Sequence, residues 1–261
     1  MLKETNLRNH TLTIVAASML IYSQCPGAHA DVSPISPDRP GFTNGSDVVP
    51  VGLTHLEIGI GETWTPSSAG GGHTVDGPEA LIRHGITPNL EWRMTLPDRF
   101  STSDNGPSGW GDAAVGAKWK FYQSKDGNTK AALFPGFSIP SHDGNFSSGQ
   151  VDPSLVIGGQ TSSGARWGLS ANVGLTDPTQ NGSRNFAAAP SAAAQYTITP
   201  TLSTYAELYD NVPKTGPTSP IADGGLILVP NPNLQYDIET GFGLGSGAPV
   251  RFIGGGVSIR F

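Results

Sequence analysis

Acidic and basic side chains recur at alternate positions of short apolar segments in this chain of 261 residues. Alternate side chains of an extended strand point to the same face, so these charges are predicted to line one surface. Such a surface is either a charged constriction that selects solutes or an ion-pair network that stabilises a wall. We favour the network. The candidate residues are Glu57, Arg83, Glu91, Arg93, Lys118, Lys120, Asp237 and Glu239, with Arg166 and Arg260.

The order of these charges along the chain predicts two oppositely charged arcs. Basic residues predominate in the second to fourth predicted strands, and acidic residues predominate in the eleventh, twelfth and first. Glu57 and Arg83 lie where the arcs meet and are predicted to pair. If the charges form a constriction, replacing Arg93 and Lys118 with serine changes the conductance or ion selectivity.

Hydrolytic chemistry would need a serine, a histidine base and an orienting group within hydrogen-bond reach. His73 and His142 lie in polar segments near Ser67, Ser68 and Ser141, but no recognisable motif surrounds them. No pair of His, Cys or carboxylate residues has convincing metal-ligand spacing. We therefore expect no enzymatic activity, no metal and no cofactor.

The charged positions belong to segments that alternate apolar and polar residues between clusters of Gly, Pro, Asn, Asp and Ser. This pattern is typical of β-strands. The clearest example is 112–121, where Trp119 lies on the apolar face and Lys118 on the polar face. Twelve strands are predicted near 53–65, 79–87, 90–97, 111–122, 130–140, 150–161, 166–176, 186–198, 201–210, 221–230, 234–244 and 250–261.

Short connections alternate with long ones along these strands. Tight turns such as 87–89 and 162–165 alternate with the polar segments 66–78, 98–110, 141–149, 177–185 and 211–220. An even strand number with short turns on one side and long loops on the other is typical of outer-membrane barrels. We predict an all-β, antiparallel up-and-down transmembrane barrel with short periplasmic turns and longer extracellular loops.

The N-terminal residues have the pattern of an export signal. Lys3 and Arg8 precede an apolar run at 12–22, which is shorter than the roughly 20 residues of a membrane-spanning helix, and Ala28-His29-Ala30 resembles a cleavage site. The lone Cys25 falls within this signal. We predict a signal peptide at 1–30, a periplasmic N-terminal segment at 31–51 and the barrel at 52–261.

A secreted soluble β-sandwich or barrel would also alternate apolar and polar residues. Aromatic placement favours the membrane, because outer-membrane barrels gather aromatics on their outer face at the interfaces. The last strand ends at Phe261, which resembles the signal recognised by the barrel-assembly machinery. The residues predicted to form a girdle near the short turns are Trp92, Trp119, Phe121, Trp167, Tyr196, Tyr236 and Phe261.

Two motifs resemble those of the MetA-pathway of phenol degradation family. Residues 36–43 (Ser-Pro-Asp-Arg-Pro-Gly-Phe-Thr) resemble its Asp-Arg-Pro-x-Phe-Thr opening, and 111–118 follow Gly-Asp-x-x-x-Gly-x-Lys. The resemblance implies an outer-membrane pore or carrier for small solutes, including aromatic or hydrophobic ones. It marks Asp38, Arg39 and Phe42. We favour a periplasmic turn sealed by an Asp–Arg pair over direct contact with solute.

The sequence therefore predicts a channel for passive passage of small solutes in the outer membrane of a Gram-negative bacterium. The alternatives are an outer-membrane lipid or peptide hydrolase, and an adhesin or structural barrel. Expected partners are outer-membrane lipid, the barrel-assembly machinery and a small solute. The net charge of −6 argues against nucleic acid. The identity of the solute, the direction of transport and the oligomeric state are not predicted.

Overall fold

The structure, a computed structural model, describes residues 33–65, 71–103, 106–180, 182–246 and 248–261. The predicted signal peptide, including Cys25 and the cleavage site, lies outside these residues. In the described part of the chain, no helix is long and apolar enough to cross a membrane. Residues Pro34–Arg260 form one compact unit.

The chain forms eighteen strands in the described residues. They are β1 (Thr54–Trp64), β2 (His73–Gly77), β3 (Leu81–Thr87), β4 (Leu90–Thr95), β5 (Arg99–Thr102), β6 (Ser108–Trp110), β7 (Ala113–Gln123), β8 (Thr129–Ile139), β9 (Pro153–Ser163), β10 (Trp167–Thr176), β11 (Thr179–Gln180), β12 (Ser183–Arg184), β13 (Ala187–Thr199), β14 (Leu202–Tyr209), β15 (Val212–Pro213), β16 (Ile221–Asn231), β17 (Leu234–Gly243) and β18 (Arg251–Arg260).

These strands form a closed antiparallel barrel with twelve wall strands, as predicted. β2 and β3 together form the second wall strand, β4 and β5 the third, and β6 and β7 the fourth. β18 pairs with β1 from His55↔Arg260 to Trp64↔Arg251 and closes the barrel. The hairpin of β11 and β12 lies in one of the long connections.

Two segments predicted as loops continue the wall instead. Within 66–78 and 98–110, the structure contains β2, β5 and β6. Pro78 and Pro97 lack the N–H that a strand ladder needs, so they interrupt the pattern without ending the wall. Pairing continues across the interruption, because Glu79 N donates to Gly59 O at 3.0 Å and Leu96 N donates to Ala80 O at 2.8 Å.

The barrel is apolar outside and polar inside. Lys118 is fully buried, whereas its neighbour Trp119 is 50% exposed on the outer face. Predicted girdle residues contact each other near the short turns, with Trp167 and Tyr196 rings 4.8 Å apart between centroids. Soluble proteins bury charged side chains rarely, so this arrangement is the inverse of a soluble barrel.

The segment 34–51, here called the plug, lies inside the lumen and contacts walls on opposite sides. Its Ile35 N donates to Pro232 O at 2.8 Å in the turn between β16 and β17. At its other end, Val51 forms a bridge with Gly85. The predicted periplasmic position is therefore wrong for these residues, because buried wall groups supply the partners for the plug's charges and amides.

Candidate functional site

Asp38 of the plug binds the basic side of the lumen. Its carboxylate lies 2.8 Å from Lys118 Nζ, 2.5 Å from Arg93 Nη1 and 3.4 Å from Arg83 Nη1. The register of β3, β4 and β7 brings these three cations together on the inner face. Burial works to raise the pKa of Asp38, but Arg83, Arg93 and Lys118 hold it well below its ordinary value.

Arg83 links the wall to the plug, and every N–H donor of its guanidinium forms a hydrogen bond. It donates to Glu91 at 2.7 and 3.0 Å and to Glu57 at 3.0 Å, which confirms the predicted pair. Its other two hydrogen bonds go to the plug carbonyls of Ser36 and Asp47, at 3.0 and 3.1 Å. An arginine has five N–H donors, so this buried cation is fully satisfied.

Lys118 uses its three ammonium protons in the same way. They reach Asp38 and the carbonyl oxygens of Gly45 and Asp47, at 2.8 to 3.1 Å. Its ammonium also lies 4.9 Å from the centroid of the Phe134 ring. The basic side is therefore a binding surface for the plug, and its charges do not face open solvent.

Arg39, the next residue of the plug, binds the acidic arc, which adjoins the basic side at the second wall strand. It pairs with Glu79, and its Nη2 lies 3.4 Å from Asp237 and 3.8 Å from Glu239. Burial works to lower the pKa of Arg39, but these three carboxylates raise it.

Glycines at the seam between β1 and β18 make room for the Arg39 side chain. A Cβ atom at Gly59 would overlap the Arg39 guanidinium, and one at Gly256 would overlap its Nε. The two strands thus present bare backbone on their inner face at this level. The seam is a slot that fits the guanidinium.

Phe42 lies on the long-loop side of Arg39 in an aromatic cluster. Its ring stacks on Tyr209 with centroids 4.4 Å apart and meets Phe252 edge-on at 6.0 Å. Its backbone N donates to Glu207 at 2.7 Å. Phe42 is partly exposed in the lumen, so part of its ring faces open space there.

A third anchor of the plug is Asp47, which the sequence did not single out. It pairs with Lys130 of β8 at 2.6 Å and accepts a hydrogen bond from Gln160 of β9 at 2.7 Å. Burial works to raise the pKa of Asp47, but Lys130 and Gln160 lower it. Glu207 and Asp223 were also missed, although each occupies an inward position.

The predicted site residues thus separate into groups. Glu57, Arg83, Glu91, Arg93 and Lys118 gather around Asp38. Asp237 and Glu239 gather around Arg39.

The remaining predicted residues lie apart from both groups. Lys120 bonds Gln123 near the short-turn rim at 2.9 Å. Arg166 was expected to face inward, but it is exposed and donates to Tyr196 Oη at 3.0 Å. Arg166 faces outward because it lies in the tight turn before β10, from which its side chain reaches the Tyr196 ring on β13.

Asp38 and Arg39 do not pair with each other, so the predicted Asp–Arg seal is wrong in its partners. Consecutive side chains of an extended segment point in opposite directions. Asp38 therefore reaches the basic side and Arg39 the acidic side of the lumen.

The residues considered for hydrolysis have other contacts. Ser141 Oγ donates to Trp110 O at 2.8 Å, and His73 Nδ1 lies 2.5 Å from Glu62 Oε1. Ser67 and Ser68 lie outside the described residues. Where the structure describes the chain, it brings together no group of three His, Cys, Asp or Glu side chains placed to hold a metal.

A family described as Putative MetA-pathway of phenol degradation has a sequence profile that matches residues 37–261. No curated protein gives a significant match.

Solved structures with the same fold include the COG4313 outer membrane channel from Pseudomonas putida F1, with a TM-score of 0.65 and 13% identity over 85% of this chain and 99% of that one. The NanC porin matches with a TM-score of 0.57 and 10% identity, over 78% of this chain and 98% of the porin. The KdgM porin in complex with disordered oligogalacturonate matches with a TM-score of 0.56 and 10% identity, over 79% of this chain and 99% of the porin.

Proposed function

Because the chain belongs to this family, we propose that it is a passive channel for small solutes in the outer membrane of a Gram-negative bacterium. The observation that carries the proposal is a closed barrel with a polar lumen, in which a segment of the chain narrows the passage. The family description and the plug's exposed aromatic ring support aromatic molecules among the solutes. We propose no enzymatic role.

Cavities on two sides of the plug support a path for solutes. One of about 340 Å³ lies beside the plug toward the short turns, where Gly168, Ser170 and Ala193 leave space. Another of about 300 Å³ lies toward the long loops. Arg39 and Pro40 line both cavities. Passage between them therefore depends on the space around these two residues or on movement of the plug.

The charges that the plug leaves uncompensated favour cations. The basic wall residues bind the plug's carboxylates and carbonyl oxygens, so their positive charge is matched locally. Several inward carboxylates instead have no cationic side chain within 4 Å among the described residues, namely Asp76, Glu207 and Asp223. Like-signed charges along a narrow lumen favour passage of the opposite sign.

Planar bilayer recordings with purified, refolded protein test this function. We expect discrete conductance steps and, in a KCl gradient, a reversal potential shifted toward that of K⁺. Heat-modifiable gel migration verifies that the barrel is folded in the same sample. Folded barrels that give no conductance would contradict the channel, and lipid or peptide hydrolysis by them would favour the enzymatic alternative.

A further inference from the structure

The cavity on the long-loop side of the plug combines aromatic rings with carboxylates. Its apolar surface includes Phe42 and Phe252, whose rings meet edge-on. Asp76, Glu79 and Glu239 also line it. A volume of about 300 Å³ is at the small end of the range for ligand pockets.

The charges around this cavity do not balance. Of the described residues that line it, Arg39 alone is basic, and it already binds Glu79 and Glu239 as well as Asp237. Asp76 adds a second carboxylate beside Glu79. A Cβ atom at Gly61 would lie 3.2 Å from Asp76 Oδ1 and 3.4 Å from Glu79 Oε1. Carboxyl groups therefore outnumber the basic side chains that line this cavity.

A further carboxyl group, that of Asp223, is buried beside the Phe252 ring, outside the lining of the cavity. Asp223 is only 8% exposed, and neither carboxylate oxygen accepts a hydrogen bond from the residues that the structure describes. It lies behind Phe252, since a Cβ atom at Gly241 would overlap that ring and lie 2.7 Å from Asp223 Cβ. Its cross-strand neighbour is another carboxylate, Glu207. Burying a polar group without a partner is costly, and a cation in the neighbouring cavity would lower the electrostatic repulsion among these carboxyl groups.

We propose that the cavity binds a small aromatic cation of the arylalkylamine class. The aromatic ring packs on Phe42 and Phe252, and the ammonium group lies among Asp76, Glu79 and Glu239. Aromatic faces attract cations, and the carboxylates add direct charge attraction. An aromatic carboxylate is repelled by the same groups, and a neutral aromatic alcohol gains only the ring contact. This inference rests on the proposed channel and names the solute class that its lumen favours.

Block of the single-channel current measures this binding. The probe is 2-phenylethylammonium, compared with 2-phenylethanol, phenylacetate and n-butylammonium at equal concentrations. We expect the aromatic amine to block at the lowest concentration. Asp76→Asn and Phe252→Leu should each raise the half-blocking concentration about tenfold, the size of one cation–π or ion-pair contact in a partly desolvated site. Neither residue binds the plug through an ion pair.

Asp126→Asn is the matched control, because it removes one carboxylate from an exposed short turn. It should leave the block unchanged. Equal block by the alcohol and the amine, or unchanged block in both cavity variants, would overturn the site while leaving the channel intact. Equal block by n-butylammonium would overturn the aromatic part of the proposal.

Calorimetric titration of the refolded protein in detergent separates the site from the channel. If the protein conducts no current but binds 2-phenylethylammonium, and Asp76→Asn weakens that binding, the site stands and the channel proposal fails. If the titration detects no binding to the wild-type protein, the site proposal is wrong.

Discussion

Asp38→Asn should release the plug from the basic side of the lumen. The substitution keeps the size of the side chain but removes the charge that faces Lys118, Arg93 and Arg83. The Asp38 side chain is 6% exposed. Removing one partner of such a buried ion pair costs about 3–5 kcal/mol. At about 1.4 kcal/mol for each factor of ten, the undocked fraction of the plug rises at least about 100-fold.

A cysteine at Ser46 reports this release directly. Ser46 is fully buried in the docked plug, and its backbone N donates to Gln160 at 2.6 Å. The chain's one cysteine lies within the predicted signal peptide, so a thiol at 46 is the single target expected in the mature protein. When undocking is fast relative to labelling, the labelling rate follows the undocked fraction. Asp38→Asn in the Ser46→Cys background should therefore accelerate labelling by a maleimide at least about 100-fold.

The same charge change at an exposed site is the control. Asp126→Asn in the Ser46→Cys background should label at the rate of Ser46→Cys alone. Heat-modifiable migration establishes that each barrel is folded. If Ser46→Cys labels at the same rate with and without Asp38→Asn, the proposed role of this carboxylate is refuted.

Three further predictions concern the same anchors. Replacing both Arg93 and Lys118 with serine should raise single-channel conductance, since two of the cations that bind the plug are lost, and unchanged currents would contradict this. Because docking lowers the pKa of Asp38, its contribution is complete above its ordinary pKa near 4 and declines progressively as pH falls from there toward the lowered pKa. Currents should therefore begin to increase only below about pH 4, and this component should be absent in Asp38→Asn. Gly59→Ala should displace the guanidinium from its slot and speed labelling of the buried cysteine, whereas Gly144→Ala, with open space around it, should not.

The barrel wall was predictable because alternation is a local property of the sequence. Trp119 is exposed and Lys118 is buried, as expected for consecutive residues of a strand. The Glu57–Arg83 pair follows from the positions of these residues on neighbouring strands. The interrupted strands were harder to predict. Pro78 and Pro97 have the composition of loops, and only the pairing partners on adjacent strands show that the wall continues.

The plug was not predictable in the same way because an irregular segment has no periodicity. Its contacts depend on residues far away in the chain: Asp38 binds Lys118, and Arg39 binds Asp237. The adjacency of an acid and a base in the motif suggested a local pair. Only the closed barrel shows that each residue has a better partner on the wall. Asp223 was missed because residues 226–229 of its strand are all apolar. The sequence there does not alternate, so it does not show which face of the strand points inward.

The two interpretations of the lumen charges, constriction and network, describe one arrangement. The basic and acidic arcs create a field across the lumen, and the plug carries a matching pair of opposite charges on consecutive residues. An extended backbone directs Asp38 to the basic arc and Arg39 to the acidic arc, so the order acid-then-base suits only one orientation of the plug. Reversing the order would place each charge against its own sign. In the proposed channel, the wall charges therefore act on solutes mainly through the plug that they hold.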